Sequence, residues 1–268
     1  MLLAFDVGNS GISFAVIDMS GETAAITAQS KIASVPVRSV DEYVVLIHEI
    51  LSLYGIDTAC ITDCAISSVV PQLTDVVAAA AQRFTKRFPL IVGPGVRTGL
   101  NIRVDSQAQL GADIVSNAVA AQILAEPPTV IVDVGTATTV TAIDSNHTLI
   151  GTVICPGVQI SANALANAAS LLGDSNLAAP LHVLGKNTHD AVNSGVINGH
   201  IYMIDGFVRE FRGLLIDNTT DKKLSLIATG GFADLVLPHC RNKFRIEPAL
   251  TLLGVAEIYR RNQKDLIK

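Results

Sequence analysis

Two short segments of the chain combine an aspartate with a glycine two residues later, and both are suited to binding phosphate groups. The first places Asp6 before Gly8, and the second places Asp133 before Gly135. Glycine lets the backbone turn sharply and approach a ligand closely, because no Cβ intervenes. Backbone N–H groups in such a turn can bind phosphate oxygens, whereas a carboxylate repels them unless a divalent metal lies between. The two segments therefore predict phosphate chemistry that uses Mg²⁺.

The two segments are copies of one pattern. Residues 2–18 read LLAFDVGNSGISFAVID, and residues 129–144 read TVIVDVGTATTVTAID. Each is an apolar run, Asp-Val-Gly, a few small polar residues and an alternating apolar run, which is typical of a β-hairpin. One such hairpin alone would more often be an ordinary turn, because Asp, Asn and Gly are common in turns. Two copies in register predict a duplicated domain.

The rest of the chain alternates predicted helices and strands around these hairpins. Apolar spacing and helix-start signals predict helices over 41–53, 71–84, 111–124, 160–172, 189–211 and 250–261. Further strands are predicted over 59–70, 89–92 and 224–228. The sequence therefore predicts two α/β halves, residues 1–126 and 127–268, which join near Glu126-Pro127-Pro128. A ligand is expected in a cleft between the halves.

Composition restricts the classes of partner. Hydrophobic residues make up 49% and charged residues 16% of the chain, which excludes a disordered protein. The net charge of −5 argues against a nucleic-acid-binding protein. An acidic protein that handles phosphates must supply positive charge through a metal, a few Lys or Arg side chains, or backbone N–H groups. Neither a signal peptide nor a membrane span is visible, so we expect a cytoplasmic protein without a membrane partner.

Motifs of several other chemistries are missing. No P-loop, dinucleotide-binding fingerprint, zinc-protease helix or nucleophile elbow is found in the chain. Cys60 and Cys64 have the wrong spacing for a zinc or redox pair, so both are predicted to be buried free thiols. The scattered histidines are predicted to be surface or hydrogen-bonded core residues. Glycine-rich runs remain, at 111–113, 151–157, 185–188 and 229–231.

In this order, the motifs resemble those of the type III pantothenate kinases, a family within the acetate and sugar kinase superfamily. The matching runs are DVGNS from Asp6, ISSVVP from Ile66, VGPGVRTGLNI from Val92, GAD from Gly111, VDVGTATT from Val132, PG from Pro156, GKNT from Gly185, ATGGF from Ala228 and the later LTLLG from Leu250. The resemblance implies an α/β fold of duplicated ribonuclease H-like (actin-like ATPase) domains with a central interdomain cleft. It also implies transfer of the ATP γ-phosphate to pantothenate, the first step toward coenzyme A.

The resemblance also implies roles for individual residues. Asp113 would be the catalytic carboxylate that accepts the hydroxyl proton, Asp6 would face Mg²⁺, and Asp133 would bind a monovalent cation, potassium or ammonium. From the residues alone, Asp113 is more simply a charge that stabilises a helix start. The residues implied to bind ATP are Asp6, Val7, Gly8, Asn9, Ser10, Gly11, Ile12, Ser13 and Thr136. Those implied to bind pantothenate are Gly111, Ala112, Asp113, Ile114, Val104 and Thr188, the last from the second subunit of a homodimer.

Four features depart from the family pattern, all where the acceptor pocket is expected. They are Ile114 in place of Arg, Val104 in place of Tyr, Thr152 in place of Gly, and the absence of a Thr-x-x-Leu-Pro run over 168–174. Loss of a charged hydrogen bond to pantothenate would cost about 1.5–3 kcal/mol, which Arg97 or Arg103 could offset. Two alternatives stay open: a non-catalytic nucleotide-binding regulator on this fold, and a kinase of a different small alcohol.

Overall fold

The computed structural model describes residues 1–168, 177–180, 182–216 and 223–266. The chain forms two compact units. Unit 1 comprises Met1–Leu100, Asp105–Ala120 and Ala249–Lys268, and unit 2 comprises Asn101–Val104 and Ala121–Pro248. The chain therefore returns to unit 1 for its last helix.

Each unit is built on one β-sheet. In chain order, the strands are β1 (Leu2–Val7), β2 (Gly11–Asp18), β3 (Ala25–Ala33), β4 (Asp63–Ser68), β5 (Leu90–Ile91), β6 (Asn101–Ile102), β7 (Thr129–Val134), β8 (Ala137–Ile143), β9 (Thr148–Pro156), β10 (Ser225–Thr229) and β11 (Arg245–Ile246). The sheet of unit 1 has the order β3-β2-β1-β4-β5, and that of unit 2 has the order β11-β10-β7-β8-β9-β6. Read from β9 to β11, the second sheet repeats the first. The predicted duplication is confirmed.

The strand directions repeat as well. The first three strands of each copy pair antiparallel, and the next two run parallel to the first strand. An antiparallel hairpin needs only a short turn, whereas a parallel strand needs a crossover connection. The sequence pattern of a hairpin followed by alternating helices and strands produces this order in both units.

The helices follow the predicted segments closely. They are α1 (Val40–Leu53), α2 (Pro71–Thr85), α3 (Ala112–Leu124), α4 (Val158–Ala168), α5 (Thr188–Leu215), α6 (Ala233–Val236) and α7 (Leu250–Leu266). The helix predicted over 160–172 begins earlier, at Val158, and its residues 169–172 lie outside the described residues. The strand predicted over 59–70 is shorter, because residues 58–60 form a 3₁₀ turn in which Asp57 accepts a hydrogen bond from the Ala59 N–H at 2.9 Å.

The two faces of the first sheet have different partners. On one face, Phe5 and Phe14 lie side by side in the core, with ring centroids 6.0 Å apart, and pack with Tyr43 and Ile47 of α1. Burying each such side chain contributes about 1.5–3 kcal/mol. Side chains alternate between the faces of a strand, so Asp6 projects from the opposite face. Helix α7 packs against β1, β2 and β4.

The cysteine prediction was half right. Cys64 is buried, and desolvation raises the pKa of its thiol well above the usual range, but Cys60 is exposed. Cys60 ends the 3₁₀ turn before β4, so its side chain does not enter the sheet. Across the parts of the chain that the structure describes, no helix combines the length and apolar character needed to cross a membrane.

Candidate active site

Asp6 lies next to the end of β1, between two hydroxyl-bearing residues. In the sheet, Asp6 pairs with Ser13 of β2 on one side and with Ser67 of β4 on the other. Paired residues on neighbouring strands project from the same face, so the carboxylate stands in a row with both hydroxyls. The Ser67 hydroxyl is buried and has no hydrogen-bond partner among the described residues. A buried polar group usually has a hydrogen-bond partner, so the Ser67 hydroxyl is suited to interact with a group bound beside Asp6.

The turn after β1 is held from two directions. The Gly8 N–H donates to the Gly11 carbonyl at 3.0 Å, which closes the turn. The buried Ser34 hydroxyl donates to the Gly8 carbonyl at 2.6 Å. Asn9 and Ser10 are exposed at the tip. These bonds fix the turn while leaving its outer face open to a ligand.

Two residues implied to bind ATP, Val7 and Ile12, can contact it only through their backbone atoms. The side chains of Val7 and Ile12 are 0% and 1% exposed and belong to the hydrophobic core of unit 1. They anchor the two strands that carry the turn. Ligand contacts through side chains at this turn therefore fall to the polar residues Asp6, Asn9, Ser10 and Ser13.

Asp113 occupies the first turn of α3, and a glycine makes room for its carboxylate. A Cβ built on Gly111 would overlap Asp113 Oδ1 and would approach a Val69 methyl group at 3.6 Å. Val69 directly follows β4, and its N–H donates to the Val7 carbonyl at 3.1 Å. Asp113 therefore lies near the carboxyl ends of β4 and of β1, the strand that carries Asp6.

Burial changes the chemistry of the Asp113 carboxyl. Desolvation raises its pKa above the usual range, and hydrogen bonds from the backbone N–H groups of Ile114 and of Asp113 itself offset part of that rise. The Ile114 bond measures 2.8 Å. A partly desolvated carboxylate accepts a proton more readily than one in water, so Asp113 is suited to act as a base.

Helix α3 is fixed to α7, which in turn packs on the sheet. The backbone of α7 approaches α3 so closely at Gly254 that a Cβ there would overlap the Ser116 carbonyl. One turn away, the Thr251 hydroxyl donates to Asn117 Oδ1 at 2.8 Å, and both side chains are buried. These contacts hold the helix that positions Asp113.

Two other residues that the resemblance implies to bind pantothenate differ in how they can contact a ligand. The Ile114 side chain is 5% exposed and lies in the interior, so only its backbone can face a ligand. Val104 is half-buried in unit 2. Arg103, one of the two arginines considered as replacements, lies within 3.8 Å of the Asp144 carboxylate.

Unit 2 repeats the arrangement around Asp133. Asp133 of β7 pairs with Thr139 of β8 and Thr229 of β10, so its carboxylate also stands in a row with two hydroxyl-bearing residues. Two glycines border the carboxylate: a Cβ on Gly135 would lie 3.1 Å from Asp133 Oδ1, and one on Gly230 would lie 2.6 Å from it. Gly230 has a φ of +104°, which other residues rarely adopt.

The turn between β7 and β8 also packs against a neighbouring turn. The Gly135 N–H donates to the Ala137 carbonyl at 3.1 Å, and Thr136 is exposed at the tip. A Cβ on Gly157 would overlap the Thr136 carbonyl, so the Pro-Gly turn lies directly against this one. His200 Nε2 lies 3.1 Å from the Pro156 carbonyl, which confirms this histidine as a hydrogen-bonded core residue.

Thr188 is the first residue of α5 and is exposed. The preceding Asn187 caps the helix by accepting from the Asp190 N–H at 2.9 Å. Gly185 allows the approach to this helix, because a Cβ there would overlap the Ala191 backbone. The GKNT run therefore forms the capped start of α5, at which Thr188 is exposed to solvent.

Several residues that shape these turns were not predicted from the sequence. Ser34, which directly follows β3, and Ser67 of β4 reach the Asp6 turn, and Thr251 reaches α3 from the last helix. Ser67 lay within the quoted ISSVVP run, but nothing in one sequence shows that this run pairs with β1. The position of the Ser67 hydroxyl near the end of a predicted strand is the signal that could have indicated this residue.

A comparison of the chain with known proteins identifies its family. Residues 2–210 match the family model described as type III pantothenate kinase. The type III pantothenate kinase of Shouchella clausii is 39% identical over 263 residues, covering 98% of this chain and 100% of that protein. This chain belongs to the type III pantothenate kinase family.

Solved structures support the same fold. A Baf family protein from Campylobacter jejuni superposes with a TM-score of 0.58 at 19% identity, covering 98% of this chain and 99% of that one. A ROK family glucokinase from Streptomyces griseus, in complex with glucose and AMPPNP, gives a TM-score of 0.51 at 14% identity, covering 97% and 99%. The chain therefore has the duplicated actin-like ATPase fold that the resemblance implied for its two units.

The residues of this family member fit a divalent metal that is held largely by a nucleotide. Within the described residues, no group of three or more His, Cys, Asp or Glu side chains is arranged to hold a metal. Mg²⁺ usually keeps several waters and binds one or two carboxylates together with substrate phosphates. Asp6, beside the unpartnered Ser67 hydroxyl, offers such a carboxylate.

Proposed function

We propose that this chain transfers the γ-phosphate of ATP to the primary hydroxyl of pantothenate, with Asp113 as the catalytic base. The product is 4′-phosphopantothenate, so the reaction is the first step of coenzyme A biosynthesis. The observation that supports the role of Asp113 is its half-buried carboxylate, held in the space beside Gly111 at the carboxyl end of β4. A base must lie beside the proton that it accepts and must be basic enough to take it.

Asp113 would orient the pantothenate hydroxyl and accept its proton as the oxygen attacks the γ-phosphorus. The bond to the β,γ-bridging oxygen breaks, and ADP leaves with that oxygen. Phosphoryl transfer asks for little covalent work from the protein, since positioning and charge stabilisation supply most of the rate enhancement. The fixed attachment of α3 to α7 serves this positioning.

The turn after β1 would bind phosphate oxygens of ATP. Backbone N–H groups between Gly8 and Gly11 and the side chains of Asn9, Ser10 and Ser13 would contact these oxygens. Asp6 would hold Mg²⁺, which neutralises phosphate charge when it is bound. The support is the open outer face of the turn and the row of polar groups beside it.

In unit 2, we assign Thr136 to ATP and Asp133 to a monovalent cation, potassium or ammonium. Asp133 has hydroxyl-bearing neighbours and close-packed glycine backbone around it, which suits a weakly hydrated cation bound by oxygen atoms. Such a cation would neutralise the carboxylate charge of Asp133 without taking part in bond making.

Pantothenate would contact residues 111–114 and Val104, with Thr188 of the partner subunit completing the site in a homodimer. The exposure of Thr188 on a capped helix start supports a role in binding. Because the Ile114 side chain is buried, Ile114 would contact pantothenate through its backbone. We expect the enzyme to act in the cytoplasm, where ATP is available.

A coupled ADP-release assay with pantothenate, run with and without potassium or ammonium, tests the proposal. Turnover that requires both pantothenate and the cation supports it. ATP binding without turnover would replace it with the regulator hypothesis, and turnover only with another small alcohol would replace the substrate. The same purified chain serves for all three measurements.

A further inference from the structure

We infer that the ammonium group of Lys31 binds the phosphate groups of ATP at the turn that follows β1. This inference rests on the proposed function, because it requires ATP at that turn. Neither the sequence motifs nor the family pattern quoted above includes Lys31, which lies on β3, the edge strand of the first sheet.

The sheet places Lys31 on the same face as Asp6. Lys31 pairs with Ser13 of β2, and Ser13 pairs with Asp6 of β1. Paired residues project from the same face, so the row runs Lys31, Ser13, Asp6, Ser67 across four neighbouring strands. Every member of the row is polar or charged, whereas each neighbouring row has three apolar residues and one serine.

The side chain of Lys31 is directed toward the turn and not along its own row. A Cβ built on Gly11 would overlap Lys31 Cε and would lie 3.5 Å from its Cδ. Gly11 is two residues before Ser13 on β2, and its carbonyl accepts the hydrogen bond that closes the turn. The methylene stem therefore crosses Gly11, and the ammonium group beyond Cε is carried to the turn.

The ammonium group is available to a ligand. Among the described residues, Lys31 has no hydrogen-bond or ion-pair partner, and it is exposed. Asp6 stands two strands away, about 9–10 Å between Cα atoms at the usual strand spacing. A cation above an open backbone turn, in a chain with a net charge of −5, supplies the local positive charge that a triphosphate requires.

A simpler role must be separated from this one. Lysine is common on edge strands, where it blocks pairing with other chains. That role requires only a charged residue at the edge and predicts no effect on ATP. It also does not explain why β2 has glycine at the one position that the lysine stem crosses.

The test compares Lys31→Met and Lys31→Arg with the unchanged protein and with Lys243→Met, an exposed lysine of unit 2. Dissociation constants for Mg-ATP and for adenosine are measured by calorimetry, and thermal unfolding checks the fold. We expect Lys31→Met to weaken ATP binding about tenfold to a hundredfold, the range for one charge-assisted hydrogen bond. Lys31→Arg should stay near the unchanged protein, and adenosine binding should not change.

Each outcome decides the inference separately from the proposed function. Unchanged ATP affinity in Lys31→Met, or an equal loss for ATP and adenosine, would overturn the role of Lys31 in phosphate binding. If the unchanged protein binds ATP but does not phosphorylate pantothenate, the proposed function fails while a selective loss in Lys31→Met still supports the inference. If the unchanged protein does not bind ATP, both are overturned.

Discussion

Gly111 provides the space that the carboxylate of Asp113 occupies, since a Cβ at residue 111 would overlap Asp113 Oδ1. The glycine of the Gly-Ala-Asp run is therefore a steric requirement for the position of the aspartate. Val69, which a Gly111 Cβ would also contact, is hydrogen-bonded through its N–H to the end of β1. Residues from three separate parts of the chain thus determine where this carboxylate lies.

Gly111→Ala should therefore reduce kcat by about a hundredfold, the typical cost of displacing a catalytic group by about 1 Å. The KM for ATP should change little, because the substitution does not alter the turn after β1, which we propose to bind ATP. Steady-state kinetics with varied ATP and pantothenate provide the measurement. Gly93→Ala is the matched control, because a Cβ there meets nothing within 4 Å. An active Gly111→Ala enzyme would show that the steric relationship is unimportant.

Thr251→Val should destabilise unit 1 by about 1–3 kcal/mol, because it removes the buried hydrogen bond to Asn117. Urea unfolding of the two proteins measures the difference. Thr251→Ser keeps the hydroxyl and should recover most of the stability. Unchanged stability in Thr251→Val, with a loss in Thr251→Ser, would indicate that the methyl group, and not the hydrogen bond, holds α3 to α7.

Asp133→Asn should abolish activation by potassium or ammonium while leaving the fold intact. Removing the carboxylate charge removes the main attraction for a monovalent cation at this site. Activity measured across potassium concentrations, with sodium replacing potassium at constant ionic strength, provides the test. Asp234→Asn, which changes an exposed aspartate of α6, is the control. Normal potassium activation in Asp133→Asn would assign the cation to another site.

Burial of the Asp113 carboxylate should reduce stability at neutral pH. Its pKa is raised in the folded state, so ionisation there costs free energy relative to the unfolded chain. This cost disappears as the pH falls through the folded pKa toward the ordinary carboxyl value. Asp113→Asn should therefore have a higher Tm than the unchanged protein at neutral pH, and the difference should shrink in acid. Calorimetry at several pH values checks this, and a constant difference at all pH values would contradict it.

Local patterns predicted most of the elements. Both hairpins, the capped helices and the position of Asp113 in the first turn of a helix follow from periodicity and turn residues close together in the chain. The repeat around Asp6 and Asp133 was readable because the two copies retain the same residues. The duplicated α/β architecture was expected from the repeat and from the family resemblance, whereas no strand order was predicted.

Contacts between distant segments could not be predicted from one sequence. Nothing local indicates that Ser67 stands beside Asp6, that Lys31 crosses Gly11, or that Thr251 bonds to Asn117. The exposure of Cys60 has the same origin, because an apolar run alone does not show where its strand begins. These features depend on strand pairing and helix packing, which side-chain periodicity leaves open.

The most direct test of the account is turnover by Asp113→Asn in a protein that still binds ATP. Calorimetry should give the same ATP affinity as the unchanged protein, and mass spectrometry should detect 4′-phosphopantothenate formed about 10²–10⁴ times more slowly, the usual contribution of a general base. Formation of 4′-phosphopantothenate at the unchanged rate by Asp113→Asn would contradict the central role of this carboxylate.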